Sequence, residues 1–250
     1  MLVPNNSAEK GLQILECFSE TQPHLTLEEI TSITGFPKTT TFRLIKSLEK
    51  YGYLKRNNAA RETRFSLGWV FLNKSNIVLN QLSIREAAHD HMRWLRNETG
   101  LTVQLAIRDR EEAVYVDQIE LLKPIKVYPQ IGRKAPLYVA ACPRVLLAYL
   151  SESEREDILK RLDFKSYPRI PDKDAIKAEL QKVKKEKYAI SYGELYKGTI
   201  AIASPVLINE NQAIASISVI GLEQDFDGQH LEKAIRLVKE CTQKVSLELK

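Results

Sequence analysis

Basic and hydroxyl side chains recur at helical spacing between Pro37 and Tyr51. At 100° per residue, four of them share one direction: Thr39, Arg43, Lys46 and Lys50. The opposite direction carries side chains suited to packing: Thr41, Leu44, Ile45 and Leu48. Lysine and arginine neutralise phosphates, arginine can donate two hydrogen bonds to one guanine, and a helix fits the major groove. The spacing therefore predicts a helix that packs on one face and contacts DNA with the other.

Each candidate on this helix has a definite chemistry toward DNA. Arg43 can bond the edge of a guanine, and Phe42 can contact a thymine methyl group. Thr39 and Thr40 can bond either bases or phosphates. Four further cations would contact the phosphate backbone, and those in the hairpin that follows the helix could also reach the minor groove: Lys46, Lys50, Arg61 and Arg64. The complete set of candidate DNA contacts is Lys38, Thr39, Thr40, Phe42, Arg43, Lys46, Lys50, Arg61 and Arg64.

Two further helices are predicted before this one. A first helical pattern covers about Ser7–Phe18. A second begins at Thr26, where the hydroxyl followed three residues later by the Glu29 carboxylate has the spacing of a capping box. Gly35 can end that helix in the left-handed conformation, and Pro37 suits the first position of the next helix. The turn between the second and third helices should therefore be short and sharp.

A hairpin is predicted to follow the third helix. Short strands are expected at residues 53–56 and 63–67, joined by a polar loop. The stretch from Phe36 to Leu67 carries eight basic and only two acidic side chains. Three helices, a hairpin and one concentration of positive charge indicate a winged helix-turn-helix unit at residues 1–68. The alternative is an ordinary helical domain whose basic face is merely solvated.

The remaining chain predicts a different architecture. Residues 69–84 are expected to form a linker helix, and residues 85–250 an α+β domain with a mainly antiparallel sheet. One of its strands is expected at residues 123–128. The last two strands, residues 199–208 and 213–221, carry small side chains. Small side chains leave room for a ligand beside the sheet or allow a helix to pack closely, and both alternatives remain open.

Composition excludes several classes of protein. Of 250 residues, 44% are hydrophobic and 28% are charged, which is typical of a globular protein. No apolar run approaches the roughly 20 residues that cross a bilayer, so we expect a cytoplasmic protein with no membrane partner. His89 and His91 would point in different directions on a helix, and the chain contains no glycine-rich phosphate loop. No metal or cofactor is therefore expected.

Cys142 is the candidate for covalent chemistry. The three cysteines, Cys17, Cys142 and Cys241, lie far apart in sequence, which fits a reducing compartment. Cys142 is predicted at a helix N-terminus, where the helix dipole and Arg144 could lower the pKa of the thiol. The alternative to a DNA-binding protein is therefore a small-molecule enzyme or a redox sensor that uses Cys142, with the N-terminal unit serving assembly only. A small buried cysteine without a chemical role is the commoner case.

Several stretches of the chain resemble the IclR family of bacterial transcriptional regulators. In the N-terminal half the resemblance rests on Thr34-Gly35-Phe36-Pro37-Lys38-Thr39-Thr40 and on Phe65-Ser66-Leu67-Gly68. In the C-terminal half it rests on Gly132-Arg133-Lys134-Ala135-Pro136-Leu137, Gly193-Glu194 and Ala201-Ile202-Ala203-Ser204-Pro205-Val206. The resemblance implies a winged helix-turn-helix followed by a GAF-like effector-binding domain that senses a small molecule. It also implies dimers, which often pair again into tetramers.

The same resemblance implies an effector pocket between one helix start and the late strands. The implied positions are Ala141, Cys142, Ser191, Thr199, Ala201, Ser218 and Ile220. Family members usually have a small residue, Gly and Lys where this chain has Cys142-Pro143-Arg144, and often an acid where it has Ser191. Because Pro143 has no amide hydrogen, it cannot donate to a carboxylate ligand. An unusual ligand and a pocket that binds no ligand are both left open.

We therefore expect a ligand-responsive, sequence-specific DNA-binding regulator that catalyses no reaction. Its expected partners are double-stranded operator DNA, a small-molecule effector and further copies of itself, as a homodimer or a tetramer. A single winged helix contacts too little DNA for strong discrimination. Two-fold pairing, with half-sites about 34 Å or a multiple of that distance apart, is therefore expected.

Overall fold

The structure is a computed structural model that describes residues 7–57, 62–120 and 130–249. The chain divides into two compact units between Gln81 and Leu82. The described part of the first unit runs in the order α1 (Ser7–Leu15), β1 (Leu25–Thr26), α2 (Leu27–Thr34), α3 (Lys38–Lys50), β2 (Leu54–Asn57), β3 (Arg64–Leu67) and α4 (Val70–Asn80).

The turn between α2 and α3 follows from the caps of α2. Thr26 Oγ1 accepts a hydrogen bond from the Glu29 amide at 3.2 Å, and Glu29 Oε2 accepts one from the Thr26 amide at 2.7 Å. The predicted capping box is therefore present. Gly35 ends α2 at a φ of 69°, a conformation that costs glycine little. Pro37 is the N-cap of α3 rather than its first residue, so α3 begins at Lys38.

A small antiparallel sheet closes the first unit. Its strand order is β1-β3-β2, with Leu25 opposite Phe65. β1 is too short for its alternation to be recognised in the sequence. A larger residue at position 68 would require the backbone to move, because its Cβ would lie 1.9 Å from the carbonyl oxygen of Gly52. Side chains from the helices and the hairpin share one core: Ile14, Cys17, Leu25, Ile30, Ile45, Leu54 and Phe65.

The second unit is built on one antiparallel sheet. Its described elements are α5 (Ser83–Thr99), β4 (Thr102–Asp109), β5 (Glu112–Ile119), β6 (Lys134–Pro136), α6 (Ala141–Ala148), α7 (Glu152–Leu159), α8 (Lys173–Glu186), β7 (Ala189–Tyr192), β8 (Thr199–Asn209), β9 (Gln212–Leu222) and α9 (Gly228–Glu248). The strand order is β6-β5-β4-β9-β8-β7, and each pairing is antiparallel. The α+β architecture is as predicted. The strand expected at residues 123–128 lies outside the described residues.

Helices cover both faces of this sheet. Ala203 on β8 belongs to a buried cluster that includes α6 and α8. The next residue, Ser204, bonds Thr242 of α9 at 2.9 Å between the two hydroxyl oxygens. Because neighbouring side chains of a strand point to opposite faces, α6 and α9 lie on opposite sides of β8. No described helix is sufficiently long and apolar to cross a membrane.

Candidate DNA-binding face and effector cavity

The outward side of α3 carries the side chains that we call the recognition face: Thr39, Arg43, Lys46 and Lys50. All four are exposed, whereas Thr41 and Ile45 on the opposite side are fully buried in the core. Lys38 and Phe42 are also exposed, and Thr40 is half-buried. The core of the first unit therefore holds α3 by one side and leaves the recognition face uncovered by that unit.

The cations of α3 differ in their intramolecular partners. Lys38 Nζ lies 2.5 Å from the Glu28 carboxylate, and Lys46 Nζ lies 3.4 Å from that of Glu49. Arg43 makes no ion pair or side-chain hydrogen bond within the described residues. Its guanidinium donors can therefore meet a base or phosphate without first breaking a salt bridge, and a guanidinium fits the acceptor pair of a guanine edge.

The wing also presents basic side chains. The Arg64 guanidinium donates to the His24 carbonyl at 3.4 Å and lies 3.8 Å from the Glu29 carboxylate, so it joins β3 to the start of α2. Arg61 lies outside the described residues. Lys55 and Arg56 on β2 are exposed as well, although neither was among the sequence candidates. Their only signal in the sequence was their place in the basic stretch.

In the second unit, the structure brings the implied effector positions around one cavity. The cavity lies between the start of α6 and the strands β7, β8 and β9. Ala201 is the cross-strand partner of both Ser191 and Ile220. All seven positions line it: Ala141, Cys142, Ser191, Thr199, Ala201, Ser218 and Ile220. Sequence reasoning omitted five other lining residues, Gln104, Tyr115, Ala140, Glu194 and Leu195.

The cavity is almost closed in this structure. Its volume is about 20 Å³, which holds roughly one water molecule. Small-molecule sites usually measure about 300–1,000 Å³. The small side chains of β8 and β9 therefore allow close packing here, which was one of the two alternatives predicted from the sequence. A larger ligand can enter only if the surrounding elements separate.

The lining of the cavity is mostly neutral and polar. Hydroxyl groups come from Ser191, Thr199 and Ser218, and Gln104 adds an amide. Burial raises the pKa of the Tyr115 phenol well above its usual value, so this side chain remains neutral. Glu194 is the carboxylate of the lining. These groups can exchange hydrogen bonds with a small polar ligand.

A buried ionic network adjoins this cavity and reaches its lining through Glu194. The Arg144 side chain is 1% exposed, and its two terminal nitrogens donate to the carboxylates of Glu179 and Glu194. Glu194 Oε2 also accepts the amide hydrogen of Ala140 at 3.0 Å. Burial raises the pKa of Glu179, against the opposing effect of the Arg144 charge. The network joins α6, α8 and the β7–β8 loop, and so keeps the elements around the cavity together.

Of the two roles considered for Cys142, the structure supports the buried cysteine without a chemical role. The thiol is buried, its Sγ lies 3.6 Å from the Ser216 carbonyl, and burial raises its pKa to about 11. Arg144 cannot activate it, because the guanidinium is bound by two carboxylates. Cys17 and Cys241 are buried free thiols too. A thiolate is the reactive form of cysteine, so this geometry argues against a redox sensor or a cysteine-dependent enzyme.

Comparison with known proteins agrees with both units. The IclR helix-turn-helix domain matches residues 7–58, and the C-terminal domain of the bacterial IclR regulators matches residues 76–247. The HTH-type transcriptional regulator KipR of Bacillus subtilis is 35% identical over 247 residues, which are 98% of this chain and 97% of KipR. This full-length similarity relates the chain to a transcriptional regulator rather than to an enzyme.

Solved structures share the architecture. IclR of Thermotoga maritima is 26% identical, with a TM-score of 0.79 over 98% of each chain. An IclR homologue of Microbacterium hydrocarbonoxydans, solved with 4-hydroxybenzoate, has a TM-score of 0.82 over 98% of this chain and 99% of its own. At 18% identity this second likeness concerns the fold alone. The two matched domains and the full-length relative show that the chain belongs to the IclR family of bacterial transcriptional regulators.

Proposed function

We propose that this protein is an effector-responsive regulator that binds its operator, in the cytoplasm, through the recognition face of α3. Residues 1–68 would bind DNA, residues 69–84 would link the units, and residues 85–250 would bind the effector. The observation that carries the proposal is the exposure of the recognition face, with the Arg43 guanidinium lacking an intramolecular partner among the described residues. The excess of basic over acidic residues from Phe36 to Leu67, within a helix-turn-helix, favours DNA binding over a merely solvated face.

Different side chains of α3 would contact different parts of the DNA. Arg43 would read a guanine, and Thr39 and Thr40 would bond bases or phosphates near the start of the helix. Lys46 and Lys50 would neutralise phosphates. Lys46 is exposed, and Glu49 also pairs with Arg56 at 3.0 Å, so Glu49 keeps a cationic partner when Lys46 turns to a phosphate.

Two copies of the chain would pair through α4. None of the residues of α4 is buried within its own chain. Several of its apolar side chains, and Trp69 just before it, are strongly exposed: Trp69, Leu72, Ile77 and Val78. Adjacent exposed apolar side chains indicate a surface that is covered in the assembled protein. A homodimer would present two recognition helices to one operator, and association of two dimers would give the tetramer.

Protection of upstream DNA tests this arrangement. On a fragment from upstream of the protein's own gene, we expect DNase I footprinting to show two protected half-sites about 34 Å, or a multiple, apart. Leu72→Asp should weaken the paired protection, because it places a carboxylate in the dimer contact. Phe164→Asp is the matched control, since Phe164 is exposed in the second unit. Protection of one isolated half-site, or of none, would contradict the dimeric regulator.

Effector binding would act by opening the cavity. A ligand must separate the start of α6 from β7 and β8, and these elements are joined by the Arg144 network. The ligand would therefore favour a conformation of the second unit that the empty protein rarely adopts. A shift of this kind typically changes affinity at the other site by about 1–3 kcal/mol.

Removal of one hydroxyl tests the cavity. In a thermal-shift screen of small organic acids and neutral metabolites, we expect a compound that raises the melting temperature of the wild-type protein. Ser218→Ala should reduce this increase, because it deletes a hydrogen-bonding group of the lining without adding volume. Ser216→Ala is the matched control on the same strand, since Ser216 is buried but does not line the cavity. If the compound raises the melting temperatures of the two variants equally, the cavity is not the effector site.

A further inference from the structure

A second opening in the C-terminal unit lies between β8 and the C-terminal half of α9. Its volume is about 400 Å³, which is within the roughly 300–1,000 Å³ that small molecules usually occupy. We call it the Lys187–Lys239 cleft after its two cationic residues. It is open to solvent in this structure, in contrast to the nearly closed effector cavity.

The cleft and the effector cavity are on opposite faces of the sheet. The effector cavity is lined by Thr199 and Ala201 on the α6 side of β8. The cleft is lined by Ser204 on the α9 side, where Ser204 bonds Thr242. Because the two openings share no lining residue, a ligand in one does not occupy the other.

Positive charge collects at the cleft. Lys187 and Lys239 are half-buried and line it, and neither makes an ion pair among the described residues. Lys187 Nζ donates one hydrogen bond to the Tyr149 hydroxyl at 3.3 Å, which leaves its positive charge and two N–H donors for a ligand. Lys239 Nζ lies 5.9 Å from the centre of the Tyr188 ring, and Lys182 Nζ lies 5.8 Å from the same centre. Glu210, which is exposed, is the one acidic residue of the lining. The described lining therefore carries a net positive charge.

The interior of the cleft is mainly apolar. Pro205 and Leu207 contribute from β8, and Leu247 contributes from α9 with 69% of its surface exposed. The nearby hydroxyl of Ser246 is already bonded to the Leu207 amide at 2.9 Å and to the Thr242 carbonyl at 2.6 Å. Asn209 and Gln243 add neutral amides to the lining, so Lys187 and Lys239 are its cationic groups among the described residues.

We propose that the Lys187–Lys239 cleft is a second small-molecule site, and that it binds an organic anion with an apolar body. The apolar part would contact Pro205, Leu207 and Leu247, and the anionic group would meet Lys187 and Lys239. A neutral ligand of the same shape leaves the cationic end unused. A fully polar anion leaves the apolar end without contacts. Both parts of the ligand are therefore required.

Calorimetric titration of the full-length protein tests the site with two matched probes, octanoate and octanamide. We expect saturable octanoate binding at one site per chain, and weaker binding of octanamide. Lys239→Gln should lower the affinity for octanoate about fivefold, which is the effect of losing one partly exposed charge pair. The same substitution should leave the affinity for octanamide unchanged. Leu247→Asp should abolish octanoate binding, because it places a like charge on the apolar wall.

Two controls make each outcome decisive. Lys185→Gln removes an exposed lysine of α8 that does not line the cleft, and Ser218→Ala alters only the effector cavity. Both variants should bind octanoate like the wild type. The proposal is overturned by absent octanoate binding, by equal binding of octanamide, or by a loss in either control equal to that of Lys239→Gln. Circular dichroism of each variant establishes that it is folded before titration.

Discussion

Arg144→Met is expected to lower the free energy of unfolding by about 3–5 kcal/mol, the usual cost of removing one partner from a buried ion pair. The guanidinium is 1% exposed and binds the carboxylates of Glu179 and Glu194. Methionine fills similar space but leaves both carboxylates without a cation. Urea unfolding at pH 7, followed by circular dichroism, measures the loss.

The control for this prediction is Arg108→Met. Arg108 also pairs with a carboxylate, that of Glu154 at 2.8 Å, but both side chains are well exposed. The free energy of unfolding of Arg108→Met should stay close to that of the wild type, because exposed ion pairs contribute little to stability. If Arg144→Met is as stable as Arg108→Met, the buried network does not stabilise the second unit.

The stability deficit of Arg144→Met should depend on pH. Burial raises the pKa of Glu179, and in Arg144→Met the guanidinium that opposes this effect is absent, so the folded pKa of Glu179 should lie further above its unfolded value. The folded variant then holds more protons than the unfolded chain, so its stability falls as pH rises through the folded pKa and recovers below it. The deficit relative to the wild type should therefore be smaller at pH 5 than at pH 7. Glu194→Gln in the Arg144→Met background should reduce the deficit at pH 7 by removing one of the charges.

Arg43→Ala is expected to lower the preference for operator over random DNA by about 1–3 kcal/mol, the value of one two-bond contact to a guanine. Arg43 is exposed on the recognition face, and its guanidinium has no intramolecular partner within the described residues. Binding to random DNA should change much less, since that binding depends on phosphates. Fluorescence anisotropy with both DNAs at one salt concentration gives the ratio.

Lys50→Ala is the matched change on the same face. It should weaken operator and random DNA alike and reduce the slope of log affinity against log salt by about 1. Arg161→Ala, an exposed arginine of the second unit paired with Glu111, should change neither quantity. Equal losses for Arg43→Ala and Lys50→Ala on both DNAs would show that neither residue reads sequence.

Local chemistry explains how much of the fold was predictable. The Thr26 capping box and the Gly35 turn each depend on a few neighbouring residues, and both appear in the structure. Features that depend on contacts between residues distant in sequence could not be predicted. In α9 the spacing predicts five core residues: Leu231, Ile235, Val238, Val245 and Leu249. Val238 and Val245 are buried, but the other three are half-buried, whereas Ala234 and Leu237, which were not predicted, are buried. The surfaces that pack on α9 decided its orientation, and its own sequence does not specify them.

In the candidate sites too, features set by neighbouring residues could be predicted, whereas those set by long-range contacts could not. The exposed side of α3 follows from its own periodicity, so Arg43 and Lys46 could be placed from the sequence alone. The effector positions came from family resemblance. The partners of Arg144 could not be predicted from sequence distance, because Glu179 and Glu194 are brought to it by α8 and the β7–β8 loop. Without these partners, Arg144 suggested an activated Cys142, whereas the network and burial leave that thiol protonated.

The central claim is that the recognition face of α3 reads a specific operator. Its most direct test is the affinity of the wild-type protein for its own upstream DNA and for a shuffled sequence of equal length, measured from low to physiological salt. We expect the operator to bind about a thousandfold or more tightly at physiological salt, with affinity for both DNAs falling as salt rises. Equal affinity for the two sequences at every salt concentration would contradict the claim.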